Sequence, residues 1–525
     1  MSGRGCTDAA PVFVRRCFFT VRRSDMGDLI LAIDQGTTGT RAVVYDVQLR
    51  PLCISYREHR QYCPRPGWCE HDCQEIFDNL LAVTDDVLDR VEALGYAAED
   101  VVCAGMANQG ETCTAWRKSD GTPLCRALVW HCRRADPITA RLREDEAFCR
   151  QVRQTTGLPV STYYSAVKYR WMLEQVPAVR EAQAQGDLCL GTLDSWLIYR
   201  LTQGRLFVTD CVTASRTMLC DLRTLQWDGA LVRRLGLEES LLAEIRPNDG
   251  FFGFLSTPRR PRLRIPLTGC IVDQQGALLG EGCFRSGQAK LTYGTGCFLL
   301  ANTGASPLTG GGSASPTPAW RLGDETAYAA DLAVFTAGSS LQWLRDRLQI
   351  IDDFSQIDAM AQSLPGNEGV YFVPAFSGLA GPHPDETARG TLLGLTLESG
   401  RAHVVRAAME AIAFQAADLV DALEAETGRR FSPLRADGGI SRSAFLLQMQ
   451  SDLLDRPLLV SSDREATARG TAMLAGLGAG LFKDLEELED LCPVSRTYTP
   501  AMDAAARQTL RAQWSRAVER AGHWA

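Results

Sequence analysis

Leu31–Asp46 reads LAIDQGTTGTRAVVYD. An apolar run ends on a carboxylate, the chain turns through Gly36, Thr37, Thr38 and Gly39, and a second apolar run follows. Two such runs around a Gly/Thr cluster predict a β-hairpin. The amides of the turn point into one small space that suits an anion, although an ordinary hairpin uses the same residues. The plan recurs about 260 residues later, where Ala289–Gly304 reads AKLTYGTGCFLLANTG. Two copies of strand, Gly/Thr turn and strand point to a duplicated fold, one hairpin per lobe, with both turns offered to a shared cleft.

Outward from the hairpins, Ile76, Leu80, Val83, Val87 and Val91 recur every three or four residues and predict an amphipathic helix over Glu75–Leu94. A second helix is predicted over His403–Thr427, stopped by Gly428. Leu434–Asp437 reads as a short strand, followed by the turn DGGIS and a helix through RSAFLLQMQSDLLD. Such a helix N-terminus favours an anion, and a plain βα turn also likes Asp and Gly. Ser306–Pro318, SPLTGGGSASPTP, is expected to be a loop bordering the cleft. GLGAGLF at Gly476–Phe482 lacks the last glycine of a dinucleotide fingerprint and predicts close helix packing.

The bulk properties exclude several classes. A chain of 525 residues has room for two to four domains. A net charge of −8 argues against non-specific binding to nucleic acid or to an anionic membrane. Lysine occurs only at Lys118, Lys168, Lys290 and Lys483. None follows a glycine, so there is no Walker P-loop. The 18 cysteines form no C-x-x-C and lack zinc spacing. They are expected to be reduced packing residues of a cytoplasmic protein. No apolar run reaches the ~18–20 residues of a membrane span. Neither G-x-S-x-G nor H-E-x-x-H is present. Residues 1–26 are expected to be a disordered extension. Their faint transit-peptide character leaves mitochondrial association as the variant, and Met26 is an alternative start.

What remains is a set of carboxylates where strands end: Asp34, Asp273 in GCIVDQQGALLGEG, and Asp437. A carboxylate leaving a buried strand costs desolvation unless it is hydrogen-bonded or near a cation. Beside an amide nest, Asp34 suggests Mg²⁺ on a nucleotide, because Mg²⁺ prefers oxygen ligands. Asp273 is placed to accept a proton from an alcohol. Singly, each fits a capping role; with two phosphate-type turns, together they favour phosphoryl transfer.

Nine segments then carry a resemblance: DQGTTGTRAVVYD, GWCEHD, ALVWHCRR, GTLDSWLIYRLTQG, VTDCVTASRTML, VDQQGALLGE, YGTGCFLLANTG, PAFSGLAGPHPDETARG and ADGGISRSAFLLQMQSD. In this order, from Leu29 to Tyr498, they resemble the FGGY carbohydrate kinases and, among them, the glycerol kinase branch. The resemblance implies an α/β chain with two ribonuclease H-like lobes of the actin/hexokinase-like ATPase fold around an interlobe cleft. Residues 27–281 would form the N-terminal, polyol-binding lobe. Residues 282–500 would form the C-terminal, nucleotide-binding lobe, and 501–525 a C-terminal helix or tail. By motif position, Asp273 would be the general base, and Asp34 with Asp273 would hold Mg²⁺. Thr37, Thr38 and Arg41 would line the phosphates of ATP. Thr295, Gly338, Gln342, Gly439 and Ser443 would contact the nucleotide. Glu111, Tyr163, Asp273 and Gln274 would hydrogen-bond glycerol, with Trp130 and Phe298 over its carbon edge. The implied partners are glycerol and ATP, with no nucleic acid and no transmembrane segment; a homo-oligomer is left open.

The chain departs from the family pattern in three places. NQGE replaces N-Q-R-E, so Gly110 stands where the family has an arginine that contacts glycerol hydroxyls. A charged hydrogen bond contributes about 1.5–3 kcal/mol, so its loss would weaken binding roughly 10- to 100-fold, unless another arginine or a water fills the gap. Restoring arginine at 110 is expected to lower the KM. Ser443 and Ala444 occupy the region where the family carries Asn after DGG. PRRPRLRIPLTG keeps Arg264 but lacks the glycine-rich loop of relatives inhibited by fructose bisphosphate, so no such inhibition is expected. Kinase activity on another polyol or ketose, and a weakly active paralogue acting as a binding or regulatory protein, stay as alternatives.

Overall fold

The computed structural model describes residues 27–308, 312–379, 381–492 and 494–524. The expected N-terminal extension lies outside the described residues. The first hairpin forms as read. Strand β1 (Leu29–Gln35) is apolar and buried on both faces, as suits a central strand. It pairs antiparallel with β2 (Gly39–Asp46), from Leu29↔Asp46 to Gln35↔Thr40. Strand β3 (Pro51–Glu58) extends this meander to an exposed edge. On the other side β4 (Val101–Asn108) runs parallel to β1, and β6 (Arg260–Val272) parallel to β4, with β5 (Phe254–Thr257) outermost. The six-stranded order is β5-β6-β4-β1-β2-β3. Helix α1 (Cys73–Ala93) starts where Asp72 accepts hydrogen bonds from the amides of Gln74 and Glu75. It packs its apolar stripe on β2 and β3. This half also holds a four-stranded antiparallel sheet, helix α2 (Ser165–Gln175) and the short α3 (Cys211–Ser215).

The second half repeats the plan. Strands β7 (Ala289–Tyr293) and β8 (Cys297–Gly304) form the second hairpin. Strands β9 (Ser315–Leu322) and β10 (Glu325–Val334) extend it on one side. On the other, β11 (Leu434–Asp437) and β12 (Leu458–Ser461) run parallel to β7, and β13 (Val494–Tyr498) closes the edge. In both sheets the hairpin stands centrally, with antiparallel strands on one flank and parallel strands on the other. This is the architecture that the resemblance implied.

The strand β9 corrects the expected loop over Ser306–Pro318, because it starts at Ser315. Pro316 and Pro318 lie in it, and β9 is an edge strand, where a missing amide donor breaks no ladder.

Helix α4 (Asp273–Gly280) leaves β6 directly. Helix α5 (Gly338–Asp346) follows β10. Helix α6 (Arg401–Thr427) is buried along most of its length and ends at Gly428, which is left-handed at φ 62. Helix α7 (Ala444–Leu454) follows β11.

Helix α8 (Ala466–Ala479) belongs to the second half in sequence but packs on α4 and on β1, β4 and β6 of the first sheet. One apolar cluster therefore runs from Ile30, Val43 and Ile271 through Met473 and Leu474 to Leu300 and Trp320. The two helices touch backbone to backbone. A Cβ on Gly470 would lie 1.9 Å from the Gly276 carbonyl oxygen, and one on Gly280 would lie 1.9 Å from that of Ala466. Helix α9 (Ala504–Ala521) is part of the second core, with Trp514 stacked on Phe414 at 5.0 Å. Among the described residues no helix is long and apolar enough to cross a membrane.

Candidate active site

Three adjacent parallel strands end level with one another: Gln35 pairs with Asn108, and Asn108 with Val272. Asp34, Glu111 and Asp273 consequently emerge along one edge of the sheet. Burial raises the Asp34 carboxyl to about 6, with Arg41 opposing the shift. Asp273 is raised to about 7, first by burial and then by the charges of Asp34 and Glu111. The Gln274 amide donates to Asp273 Oδ1 at 2.6 Å. Two desolvated carboxylates, only partly offset by Arg41 beside Asp34 and by the charge of Lys290 on Asp273, form an oxygen-only donor set. That chemistry fits Mg²⁺.

The first turn is closed by Gly36 N donating to Gly39 O at 3.0 Å. Its Thr37 carbonyl accepts from Gln61 Nε2 at 2.9 Å, and its Thr37 hydroxyl from Trp130 Nε1 at 3.0 Å. Thr38 is exposed at the tip. Arg41 lies 3.6 Å from Asp34 and 2.7 Å from Glu465, which leads into α8. The guanidinium expected to meet phosphate is thus already held between two carboxylates.

Behind the turn lies the wall read as polyol-binding. Glu111 is buried, and Arg216 Nε donates to its Oε1 at 2.6 Å. Burial raises the Glu111 carboxyl, while Arg216 lowers it. Arg216 Nη2 also lies 3.3 Å from Asp331 on β10, so one cation joins the two sheets. The ring of Tyr163 stands 5.5 Å from that of Trp130. Lys168 is fully buried and ties both residues down, with Nζ donating to the carbonyls of Trp130 (3.1 Å) and Tyr163 (2.6 Å). Gln274 Oε1 accepts from Lys290 Nζ at 2.9 Å, and Lys290 also donates to Thr292 Oγ1 at 2.6 Å. Because Oε1 is engaged by Lys290, the Gln274 amide nitrogen is the end left as a donor. Phe298, opposite Thr292 on β8, is half-buried.

On the second sheet, Thr292 pairs with Asp437, so the second turn and the DGG segment also leave adjacent strands together. The turn closes through Gly294 N to Gly296 O at 2.9 Å. Gly338 N donates to the Gly294 carbonyl at 3.0 Å, and the Thr295 carbonyl accepts from Ala337 and Ser339. A Cβ on Gly338 would meet that same Gly294 carbonyl at 2.6 Å and Ile440 at 2.8 Å. Thr295, Gly338 and Gly439 are thereby gathered around one turn, with Gln342 exposed on α5. Ser443 differs. Its hydroxyl caps α7, accepting from Leu446 N at 3.0 Å, and donates to Asp358. The side chain is committed to the helix start.

Arg216, Asp331, Lys168, Lys290 and Glu465 had no role in the sequence reading. The scarcity of lysine was a signal that could have found two of them. In a chain that uses arginine almost everywhere else, Lys168 and Lys290 both stand fully buried beside the cluster.

The description "FGGY family of carbohydrate kinases, N-terminal domain" matches residues 29–280, and its C-terminal counterpart matches residues 289–479. The chain is 43% identical to a glycerol kinase of Symbiobacterium thermophilum, covering 94% of this chain and 99% of that one. It is 42% identical to a glycerol kinase of Haemophilus influenzae, over 94% and 98%. The crystal structure of Plasmodium falciparum glycerol kinase with ADP superposes with a TM-score of 0.89 at 35% identity, covering 94% of this chain and 98% of that chain. A xylulose kinase from Rhodospirillum rubrum, at 22% identity and a TM-score of 0.82 over 94% and 98%, shares the fold.

Proposed function

This chain belongs to the FGGY family of carbohydrate kinases, and from that premise we propose that it transfers the γ-phosphoryl group of ATP to glycerol, giving sn-glycerol 3-phosphate and ADP. The observation that carries the reading is the position of Asp273. It leaves β6 level with Asp34 and in electrostatic reach of Glu111, and burial has made its carboxylate a ready proton acceptor.

Glycerol offers little apolar surface, so buried hydrogen bonds must select it. Glu111 and Tyr163 meet its hydroxyls, and the Gln274 nitrogen adds a donor whose direction Lys290 fixes. Trp130 and Phe298 cover the carbon edge. Asp273 accepts the proton of the attacking hydroxyl as the new oxygen–phosphorus bond forms and the bond to the leaving ADP breaks. Thr37, Thr38 and Arg41 receive the phosphates from the first lobe, and Thr295, Gly338, Gln342 and Gly439 receive the nucleotide from the second. Asp34 and Asp273 would hold Mg²⁺, which neutralises phosphate charge when bound. Most of the rate gain is positioning and charge neutralisation, as in phosphoryl transfer generally.

An ADP-release assay with ATP, Mg²⁺ and a panel of polyols and ketoses tests this. Glycerol is expected to show the highest kcat/KM. A higher value for another polyol or ketose would move the assignment to that substrate, and Gly110, which adds no side chain next to Glu111, is the feature that would admit it. A chain inert toward the whole panel would overturn the enzyme reading.

A further inference from the structure

We infer that Arg216 is the cation that binds a substrate hydroxyl in this chain, donating through Nη1, and that its pairing with Asp331 ties this contact to the second lobe. The inference rests on the glycerol reading and names a specificity residue for it. The guanidinium is held from several sides. Asp210 caps α3 by accepting from the amides of Val212 and Thr213, and Arg216 follows directly at the helix end. Asn108 Nδ2 donates to Thr213 Oγ1 at 2.9 Å, docking α3 on the end of β4. The Thr217 carbonyl accepts from Ala166 N at 2.9 Å, fixing the next residue to α2. Nε is bound to Glu111 and Nη2 lies 3.3 Å from Asp331. The rings of Tyr163 and Tyr164 flank Cζ at 5.8 and 5.6 Å.

Among the described residues, Nη1 alone of the three guanidinium nitrogens has no hydrogen-bond partner, in a side chain that is itself buried. A buried charged donor left without an acceptor is costly, so an acceptor belongs there. Gly110 brings none. It has no side chain, its φ is +72, and its amide is turned to Asn108 Oδ1 at 2.9 Å. Around the guanidinium stand Asp331, Tyr164, Glu111 and Tyr163, and the last two are residues of the polyol wall. A hydroxyl seated there gives its proton to Glu111 and accepts from Nη1. One neighbouring carboxylate–guanidinium pair thus satisfies both faces of a single alcohol, which a C–H at the same position cannot use.

The test compares wild type with Arg216→Lys on glycerol, 1,2-propanediol and 1,3-propanediol, at saturating ATP. Lysine keeps the charge and can reach Glu111, but it has no second nitrogen for the substrate. The expected result is a glycerol KM raised about 10- to 100-fold and an ATP KM within about twofold. Discrimination between glycerol and one of the two diols should be largely erased, because the variant no longer reads the missing hydroxyl. An unchanged glycerol KM overturns the inference. So does an equal loss on glycerol and both diols, which would mark Arg216 as packing alone. Should Arg216→Lys not fold, Arg216→Gln carries the same three-substrate comparison. A wild type that turns over ATP with no glycerol phosphorylation overturns the functional reading and this inference together; an active wild type with an unaltered variant overturns only the inference.

Discussion

Asp273 sits where burial, Asp34 and Glu111 all oppose its charge. As an acceptor of the substrate proton it has one carboxylate to lose. Asp273→Asn should cut kcat about 10²- to 10⁴-fold, the usual worth of a general base. Nucleotide binding, followed by fluorescence or calorimetry, should stay within a few-fold. Turnover at the wild-type rate would refute the base role. Gly110 shows what one residue's neighbours hide from the sequence. Restoring the family arginine there looked like a gain in affinity. The left-handed φ of +72, with a Cβ 3.4 Å from Val272 Cγ1, revises this. An L-residue in that region costs roughly 1–2 kcal/mol. Gly110→Ala should lower stability by about that amount in urea unfolding, and Gly110→Arg should bring no fall in glycerol KM. A tighter KM with unchanged stability would show that the loop relaxes. The carboxylates at strand ends were legible because charge after an apolar run is unusual. Arg216 was not, because a lone arginine in a quoted motif says nothing of which acids will surround it.

At the scale of elements, periodicity and punctuation carried most of the prediction. The helix read as Glu75–Leu94 spans Cys73–Ala93, and the one read as His403–Thr427 spans Arg401–Thr427 with Gly428 as its stop. The strand Leu434–Asp437 is bounded as read. Ser315–Pro318 misled because its prolines look like loop residues until the sheet order puts them on an edge. The crossing of α4 and α8 leaves no room for a side chain between the two helices. Gly470→Ala would push a methyl into the Gly276 carbonyl, and overpacking of this kind costs about 1–3 kcal/mol. A lower midpoint in chemical denaturation, with weakened activity because α4 begins at Asp273, is the expected outcome. Wild-type stability would mean that the two helices part easily. The close packing predicted near Gly476 lies on this same helix, but there its neighbours are Phe482 and Ile30 and, for Gly478, the Thr268 carbonyl of β6, most of which are far away in sequence.

The whole molecule adds terms that belong to neither half. Arg41–Glu465, Arg216–Asp331 and Lys290–Gln274 each join the two segments matched by the family descriptions. Burial within this assembly also stores protonation energy. Asp210 is raised to about 7 and Glu281 to about 8, in both cases chiefly by desolvation. For acids with raised folded pKa values, the native state binds more protons than the unfolded chain between the ordinary and the raised value. Stability therefore falls as pH rises through that window, by up to about 1.4 kcal/mol per pH unit for each group. Unfolding measured at pH 6 and pH 8 should show the protein more stable at pH 6. Greater stability at pH 8 would place the charged forms in a better-solvated setting than the structure shows.

The order of segments in this chain determined the duplicated hairpins, the strand-end carboxylates and the family's fold, because each is written in short windows where hydrophobic period, turn residues and motif spacing are local. Tertiary structure alone decided that α8 crosses to the first sheet, that Ser443 is committed to a helix cap, and that Arg216 bridges Glu111 to Asp331. Those outcomes depend on which distant groups share a buried volume, and the desolvation cost of charge, unlike periodicity, has no signature in the neighbouring letters.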